Sequence, residues 1–374
     1  MIKRFVIILT LLVLCTKQSM ANDGAFYLSG NHLIPISESD IKVSKEVLNI
    51  VREGEFIFVT VDYTFFNPAD EKTVLVGFEA DSPTGDVQTY PKNGTHPYIE
   101  HFSVIMNEEI VPYKVAIVDK KEYFIQDKIE AKTVKEVTTS QKYIECPECA
   151  NFFYVYYFHA TFKSGKNKLI HTYRFRASES VITFYDIAYV LTAATRWANR
   201  QIDDFTLNVN MGDYEVFRID KTFFSDKGEW EIDNGISRDD VNNDDNSRHD
   251  LKFMTYSGGI SFKAKNFNPQ GEFLLYSLRS DKYGVFDYRK DNLPSQIYTG
   301  KPLKEDDPFM IYPPVVSQDR ESFKILRNLP FALRGYVFKT PLIQTYYEKQ
   351  RWYKPNPDYK KTVLEELSEH ERQW

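Results

Sequence analysis

The chain is poor in the residues and motifs that carry most enzyme chemistry. It has only three cysteines and seven histidines in 374 residues. It contains no glycine-rich phosphate loop, no serine nucleophile elbow and no HExxH motif, the patterns that mark many nucleotide-binding enzymes, hydrolases and zinc proteases. We therefore expect neither a cofactor nor a set of catalytic residues.

Long apolar runs are also missing, with one short exception at the amino terminus. Phe5–Leu14 is almost wholly apolar, follows the basic Met1–Arg4 and precedes the small residues Ser19 and Ala21. This order is typical of a secretory signal peptide over residues 1–21. The run is too short for a bilayer, which needs about 20 apolar residues, and no later segment approaches that length.

The expected mature protein begins at Asn22 and is exported, to the periplasm or the extracellular space. Two alternatives stay open for the leader. It could be a short buried strand, or Cys15 could be lipidated, although Leu14 is larger than the residue that a lipobox places before its cysteine.

Charge is distributed unevenly along the chain. The net charge is −6, yet residues 320–361 contain ten basic and only three acidic side chains, so the remainder is strongly acidic. A basic segment on an acidic body suits an anionic partner, such as an envelope polymer with phosphate or carboxylate groups. The acidic body argues against general nucleic-acid binding. A solvated helix surface that partly docks on the body explains the charge equally well.

Most of the chain has the pattern of β structure. Phe56–Phe66 alternates apolar and polar residues, and the preceding run Val47–Arg52 is joined to it by a turn at Gly54. This predicts a hairpin. Similar runs follow at Thr73–Ala80, Phe102–Met106, Ile110–Val118, Phe152–Phe162, Lys168–Arg176, Phe205–Val209, Glu215–Ile219, Leu251–Tyr256 and Glu272–Leu278. With 28 Phe and 25 Tyr, they predict an antiparallel β-sandwich over residues 22–285. Lys120–Val137 is the one segment that looks helical.

The carboxyl-terminal stretch Leu326–Pro355 reads LRNLPFALRGYVFKTPLIQTYYEKQRWYKP. A first helix is expected from about Ser322 to a glycine end signal at Gly335, with a kink at Pro330. Thr340-Pro341 predicts the start of a second helix. Residues 318–374 should therefore form a small helical domain.

The order of residues in this stretch matches a known bacterial module. The matching positions are Leu326, Arg327, Asn328, Ala332, Gly335, Tyr336, Phe338, Tyr347, Trp352, Tyr353 and Pro355. In their types and spacing, they resemble the YARHG domain. The resemblance implies a small extracytoplasmic domain without established activity.

The naming pentapeptide of the family is altered in this chain. It reads Phe331-Ala332-Leu333-Arg334-Gly335, so the family's histidine is replaced by Arg334 and no titratable imidazole is present. From the residue types, we expect an anionic or glycan ligand. The guanidinium group of arginine can form two parallel hydrogen bonds to a carboxylate, and aromatic rings stack on sugars. The expected contacts are Arg327, Asn328, Arg334, Tyr336, Trp352 and Tyr353.

A second resemblance concerns the β region. Asn22-Asp23-Gly24, the strand Val61–Asn67 and His171-Thr172-Tyr173-Arg174 are similar to a bacterial exported domain of unknown function. It implies an extracytoplasmic β domain and brings no activity. Between the two domains, residues 286–317 carry five prolines and predict a stiff linker.

Three sites in the β region have weak chemical signals. Cys146 and Cys149 form a CxxC pair that predicts a disulfide outside the cytosol, with a zinc site using His159 and His171 as the alternative. The acidic run Asp239–Asn246 faintly resembles a calcium loop but lacks its glycine and distal glutamate, so a solvated insertion is favoured. His171 is expected to be a structural histidine. We therefore expect no metal.

Together these features favour an exported, non-catalytic cell-envelope protein whose carboxyl-terminal domain binds an anionic or glycan ligand. Two alternatives come from other classes. One is a wall-remodelling hydrolase with its site at the domain junction, and the other is a structural subunit of an envelope assembly. The oligomeric state is left open by the sequence.

Overall fold

The computed structural model describes residues 24–26, 29–31, 33–36, 40–119, 121–146, 152–213, 215–241, 249–279, 324–325, 327–349, 353–360, 367 and 372. The expected signal peptide and linker, Cys149, Trp352 and most of the acidic run Asp239–Asn246 lie outside these residues. In the described part, strands dominate.

The strands and helices are numbered in chain order. The strands are β1 (Gly24–Phe26), β2 (Ser29–Asn31), β3 (Ile34–Pro35), β4 (Lys42–Glu53), β5 (Phe56–Asn67), β6 (Lys72–Asp81), β7 (Thr84–Gly85), β8 (Glu100–Met106), β9 (Glu109–Ile110), β10 (Lys114–Val118), β11 (Phe124–Ile125), β12 (Lys128–Ile129), β13 (Phe153–Phe162), β14 (Gly165–Arg176), β15 (Glu179–Ser180), β16 (Thr183–Val190), β17 (Ile202–Asn210), β18 (Glu215–Asp220), β19 (Trp230–Val241), β20 (His249–Phe267) and β21 (Phe273–Leu278). The helices are α1 (Val134–Thr138), α2 (Gln141–Glu145), α3 (Leu329–Leu333) and α4 (Pro341–Glu348).

Strands β4 and β5 form the hairpin that the alternating sequence predicts. The apolar side chains that β5 buries are Ile57, Val59, Val61, Tyr63 and Phe65. Gly54 lies in the turn with a φ of +60°, where a β-carbon is unfavourable. The period-two pattern therefore identified the buried face correctly.

The largest sheet contains twelve strands in the order β2-β16-β21-β18-β20-β17-β4-β5-β14-β8-β9, with β19 paired to β20. Most neighbours are antiparallel, but β4 and β17 run parallel, as do β2 and β16. Strand β20 pairs with β18 through residues 250–255 and with β17 through residues 260–267. Gly258, with a φ of +75°, lies between these segments and lets the strand change direction.

A smaller sheet of order β10-β13-β6-β3 packs against this large sheet. Side chains from both sheets meet in one core. The ring centroid of Phe78 in β6 is 5.2 Å from that of His171 in β14, and Phe65 in β5 is 5.4 Å from Phe162 in β13. The body is therefore a mainly antiparallel β-sandwich with an aromatic core, as the sequence predicts.

The helix expected over Lys120–Val137 is wrong for most of its length. The segment contains the short hairpin β11–β12, whose turn residues Gln126 and Asp127 have φ of +50° and +60°. Helix α1 starts only after Thr133, whose hydroxyl accepts the N–H of Glu136 in a capping box. Apolar spacing alone could not distinguish a strand hairpin from a helix here, whereas the capping residues mark the true helix start.

The carboxyl-terminal domain begins its described part at Lys324. Helix α3 is shorter than the expected helix, and Pro330 lies in its first turn, where the missing N–H costs nothing. Residues 324–325 are also helical and residues 327–328 form a turn, so the expected helix is interrupted just before Pro330. Helix α4 begins at Pro341 behind the N-cap residue Thr340, as the sequence predicts.

The helical domain packs on the β-sandwich. Its buried residues share one apolar cluster with Val216 of β18 and Met254 of β20, and Ile236 of β19 packs against the same cluster. Val216 and Met254 are paired in the sheet register. The helical domain thus contacts the outer face of these strands, which explains why β18 is buried on both faces.

Candidate functional site in the C-terminal domain

The centre of the domain is the turn at Gly335. Helix α3 ends here with Tyr336 N–H donating to the carbonyl of Phe331 at 3.0 Å and Gly335 in the left-handed region, φ +79°. This is the helix end that the sequence predicts. The carbonyl of Gly335 accepts the N–H of Asn356 at 2.7 Å, which ties the end of α3 to the segment after Tyr353.

Two tyrosines of the domain are core residues. Tyr347 is 1 % exposed, and its hydroxyl donates to the carbonyl of Ile325 at 2.6 Å. Tyr353 is 7 % exposed, and its hydroxyl donates to the carbonyl of Tyr336 at 2.7 Å. Burial raises the pKa of both phenols, so they stay protonated and act as hydrogen-bond donors. The sequence predicted Tyr353 as a ligand contact. The hydrogen bond that its hydroxyl makes in the structure is to Tyr336 of the same domain.

Gln344 is an organising residue that sequence reasoning missed. Its side-chain oxygen accepts the N–H of Phe338 at 2.7 Å and lies 3.3 Å from the hydroxyl of Tyr353. It therefore joins α4 to both aromatic segments. No motif marks this position, because a glutamine in the middle of a helix is more often exposed than bonded to the backbone of another segment.

Arg327 and Asn328 lie just before α3. Arg327 is exposed, and Asn328 is half-buried. The side-chain amide of Asn328 donates to the carbonyl of Lys324 at 2.6 Å. The backbone carbonyl of Asn328 accepts the N–H of Ala332 at 3.0 Å. Asn328 therefore shapes the start of α3, and Arg327 presents its guanidinium to solvent.

Arg334 and Tyr336 flank Gly335 at the other end of α3, and both are half-buried. The Nη1 atom of Arg334 donates to the carbonyl of Pro330 at 2.7 Å. The ring of Tyr336 packs edge-on against Phe338, with centroids 5.0 Å apart. Arg334 thus occupies the position of the family's histidine as a permanent cation, which can bind an anion but cannot exchange a proton near neutral pH.

The described surface of the domain is basic. Between residues 324 and 360 it carries seven basic and two acidic side chains, of which the basic ones are Lys324, Arg327, Arg334, Lys339, Lys349, Lys354 and Lys360. All of these except Arg334 are exposed. The acidic side chain of Glu348 accepts a hydrogen bond from Gln344 at 2.9 Å. The domain therefore presents an excess of positive charge held on a tyrosine-rich core.

The weaker candidates in the body fall in separate places. Cys146 follows α2, and its expected partner Cys149 lies outside the described residues, so the disulfide stays a prediction. His159 is exposed, whereas His171 is buried between Phe78 and Phe102 and lies 3.4 Å from the carbonyl of Ser103 through Nδ1. These histidines do not converge as zinc ligands.

The start of the acidic run is used for ion pairs. Asp240 binds Arg218 at 2.7 Å, and Asp239 binds Lys221. In the part of the chain that the structure describes, no three His, Cys, Asp or Glu side chains are grouped as metal ligands. No helix among the described residues is long and apolar enough to cross a membrane.

Comparison with known proteins places the carboxyl-terminal segment in a family. No curated protein matches the chain in sequence. A crystal structure of a Legionella pneumophila protein, provisionally described as nutrient-binding, aligns over 94 % of this chain and 97 % of its own with 18 % identity and a TM-score of 0.43. A likeness at that level carries no argument about function. Residues 315–374 match the YARHG domain, so the chain carries a C-terminal YARHG domain behind its β-sandwich.

Proposed function

We propose that this is an exported, non-catalytic protein of the bacterial cell envelope whose YARHG domain binds an anionic or glycan polymer. The amino-terminal leader pattern supports export. The observation that carries the binding proposal is the excess of seven basic over two acidic side chains on the described surface of the domain. Such a surface attracts a polyanion over a distance set by ionic strength.

The ligand contacts that fit this role are Arg327, Asn328, Arg334 and Tyr336. Arg327 is exposed and supplies a guanidinium that can form two parallel hydrogen bonds to a carboxylate or phosphate. Arg334 and Tyr336 flank Gly335 and are half-buried, so each residue is partly accessible to a ligand. This combination suits a polymer that alternates sugar rings with anionic groups.

The test uses the whole mature chain, because the domain shares its apolar cluster with Val216 and Met254 of the body. Sedimentation with purified peptidoglycan should retain the protein at low salt and release much of it at high salt. The double variant Arg327→Ala and Arg334→Ala should bind roughly five- to tenfold less, as expected when two charge interactions with the polymer are lost.

A matched control removes two exposed cations from the body, Lys166→Ala with Lys168→Ala. Two results would rule out the domain as the binding surface. One is that the peptidoglycan retains the double arginine variant as well as the wild type. The other is that the double lysine control loses as much binding as the double arginine variant. Unfolding curves should show that the double arginine variant still folds. Release of soluble fragments from the peptidoglycan would instead favour the hydrolase alternative.

A further inference from the structure

A cleft on the β-sandwich has the features of a small-molecule site. It has a volume of about 320 Å³ and lies between the β4–β5 turn and the segment that joins β14 to β16. The residues that line it and matter here are Arg52, Gly54, Glu55, Arg176, Phe184 and Tyr185. A cavity of this size is at the lower end of the range for ligand pockets.

Arg52 is held rigidly at the cleft. Its Nε donates to the carbonyl of Met211 at 3.0 Å, Nη1 to the carbonyl of Gly54 at 3.2 Å and Nη2 to the carboxylate of Glu215 at 2.5 Å. The guanidinium also lies 4.7 Å above the ring centroid of Tyr185. Of its five N–H groups, these bonds use three, which leaves one on each terminal nitrogen.

The side chain of Arg52 is 14 % exposed, so a part of it is accessible from the cleft. Glu215, which fixes it from behind, is buried and also accepts the hydroxyl of Tyr185 at 3.2 Å. An arginine that is already oriented loses little conformational entropy when it binds a carboxylate. Arg52 therefore fits the role of a carboxylate anchor.

An aromatic side chain, Phe184, also lines the cleft. Phe184 is 38 % exposed, and the adjoining turn exposes Val181 by 65 % and Ile182 by 66 %. Three large apolar side chains exposed within four residues are unusual for a strand connection that contacts only water. Of the three, Phe184 lines the cleft together with Arg52 and offers a surface for the apolar part of a ligand.

Carboxylates complete the lining. Glu55 pairs with Arg176 at 2.6 Å, and Glu179 pairs with Arg279 at 3.1 Å. Glu55 and Glu179 are both well exposed, so each can also accept a ligand's ammonium group. The pairs leave the lining close to neutral overall, which disfavours a multiply charged anion and suits a ligand that carries one charge of each sign.

We propose that this cleft binds a small zwitterion with an apolar side chain, such as a free amino acid. Its carboxylate binds the two remaining N–H groups of Arg52, its ammonium lies near Glu55 or Glu179, and its side chain contacts Phe184. This site is independent of the polymer-binding surface of the YARHG domain.

The test uses three probes that differ by one charged group: L-phenylalanine, N-acetyl-L-phenylalanine and phenethylamine. Titration calorimetry with the mature protein should show that L-phenylalanine binds. Loss of the ammonium in the second probe, or of the carboxylate in the third, should weaken binding at least about tenfold. No binding of L-phenylalanine, or equal affinity for all three probes, would overturn the proposal.

Two variants locate the site. Phe184→Ala should weaken L-phenylalanine binding several-fold, and Arg52→Lys should weaken it about tenfold because lysine keeps the charge but lacks the fork. Phe66→Ala is the matched control, since Phe66 is 39 % exposed on a different part of the body. Full affinity in Phe184→Ala, or an equal loss in Phe66→Ala, would place binding elsewhere and refute the cleft.

Discussion

The carbonyl oxygen of Lys354 lies so close to Gly335 that it would clash with a β-carbon at residue 335. The separation from the ideal β-carbon position is 2.4 Å, and Gly335 itself has a φ of +79°. Glycine is therefore required here for two independent reasons, its backbone conformation and the close approach of another segment. This contact joins the end of α3 to the chain that follows Tyr353.

Gly335→Ala should destabilise the YARHG domain by more than about 2 kcal/mol, because strain at a positive φ adds to a steric clash with backbone. Denaturant unfolding followed by tyrosine and tryptophan fluorescence measures the effect. Gly54→Ala is the control: its φ is +60°, but nothing lies within 4 Å of the added β-carbon. The control should lose only about 1 kcal/mol. Equal losses would show that the Lys354 contact is unimportant.

Met254→Ala should loosen the YARHG domain from the body. Met254 is 2 % exposed in the cluster shared by the two domains, and removing a buried side chain of this size costs about 2–4 kcal/mol. Amide hydrogen exchange should accelerate in α3 and α4 relative to β5. Met106→Ala is the control, because it removes a similarly buried methionine from the sandwich core. It should not accelerate amide exchange in α3 and α4 relative to β5. Unchanged exchange in α3 and α4 would contradict the docking role.

His96 should make the protein less stable in acid. Burial lowers the pKa of His96 to about 3, and in the neutral ring Nδ1 accepts the N–H of Tyr98 while Nε2 faces the carbonyl of Asp81 at 3.1 Å. The unfolded chain takes up a proton near pH 6.5, whereas the folded chain does not until about pH 3. Stability from this group is therefore present above pH 6.5 and is lost as the pH falls towards 3.

Between pH 7 and pH 5, the wild type should lose about 2 kcal/mol more of its unfolding free energy than His96→Gln. Urea unfolding at both pH values measures the difference. The exposed His159→Gln should follow the wild type. Parallel pH profiles for the wild type and His96→Gln would show that His96 does not titrate as burial requires.

Cys146 and Cys149 should be joined in the exported protein. Thiol labelling of denatured, unreduced protein should then detect no reactive cysteine in the mature chain. The bond closes a very short loop, so its loss in Cys146→Ser with Cys149→Ser should lower stability only modestly. Two reactive thiols in the unreduced protein would show that the predicted disulfide is absent.

Local patterns in the sequence determined the elements that depend on neighbouring residues. Alternation over Phe56–Phe66 fixed the strand and its buried face, and Thr340-Pro341 fixed the start of α4. Gly335 marked the end of α3 because only glycine adopts its backbone conformation without strain. The same local reading failed over Lys120–Val137, where apolar spacing fits both a hairpin and a helix.

Only the tertiary structure decided which distant segments meet. Val216 reads as part of an ordinary strand, and nothing in its alternation shows that the YARHG domain covers its outer face. The cleft brings Arg52 to Tyr185 across more than a hundred residues, and β4 pairs with β17 in parallel. Periodicity reports that one face of an element is buried, whereas the partner that buries it depends on how the whole chain packs.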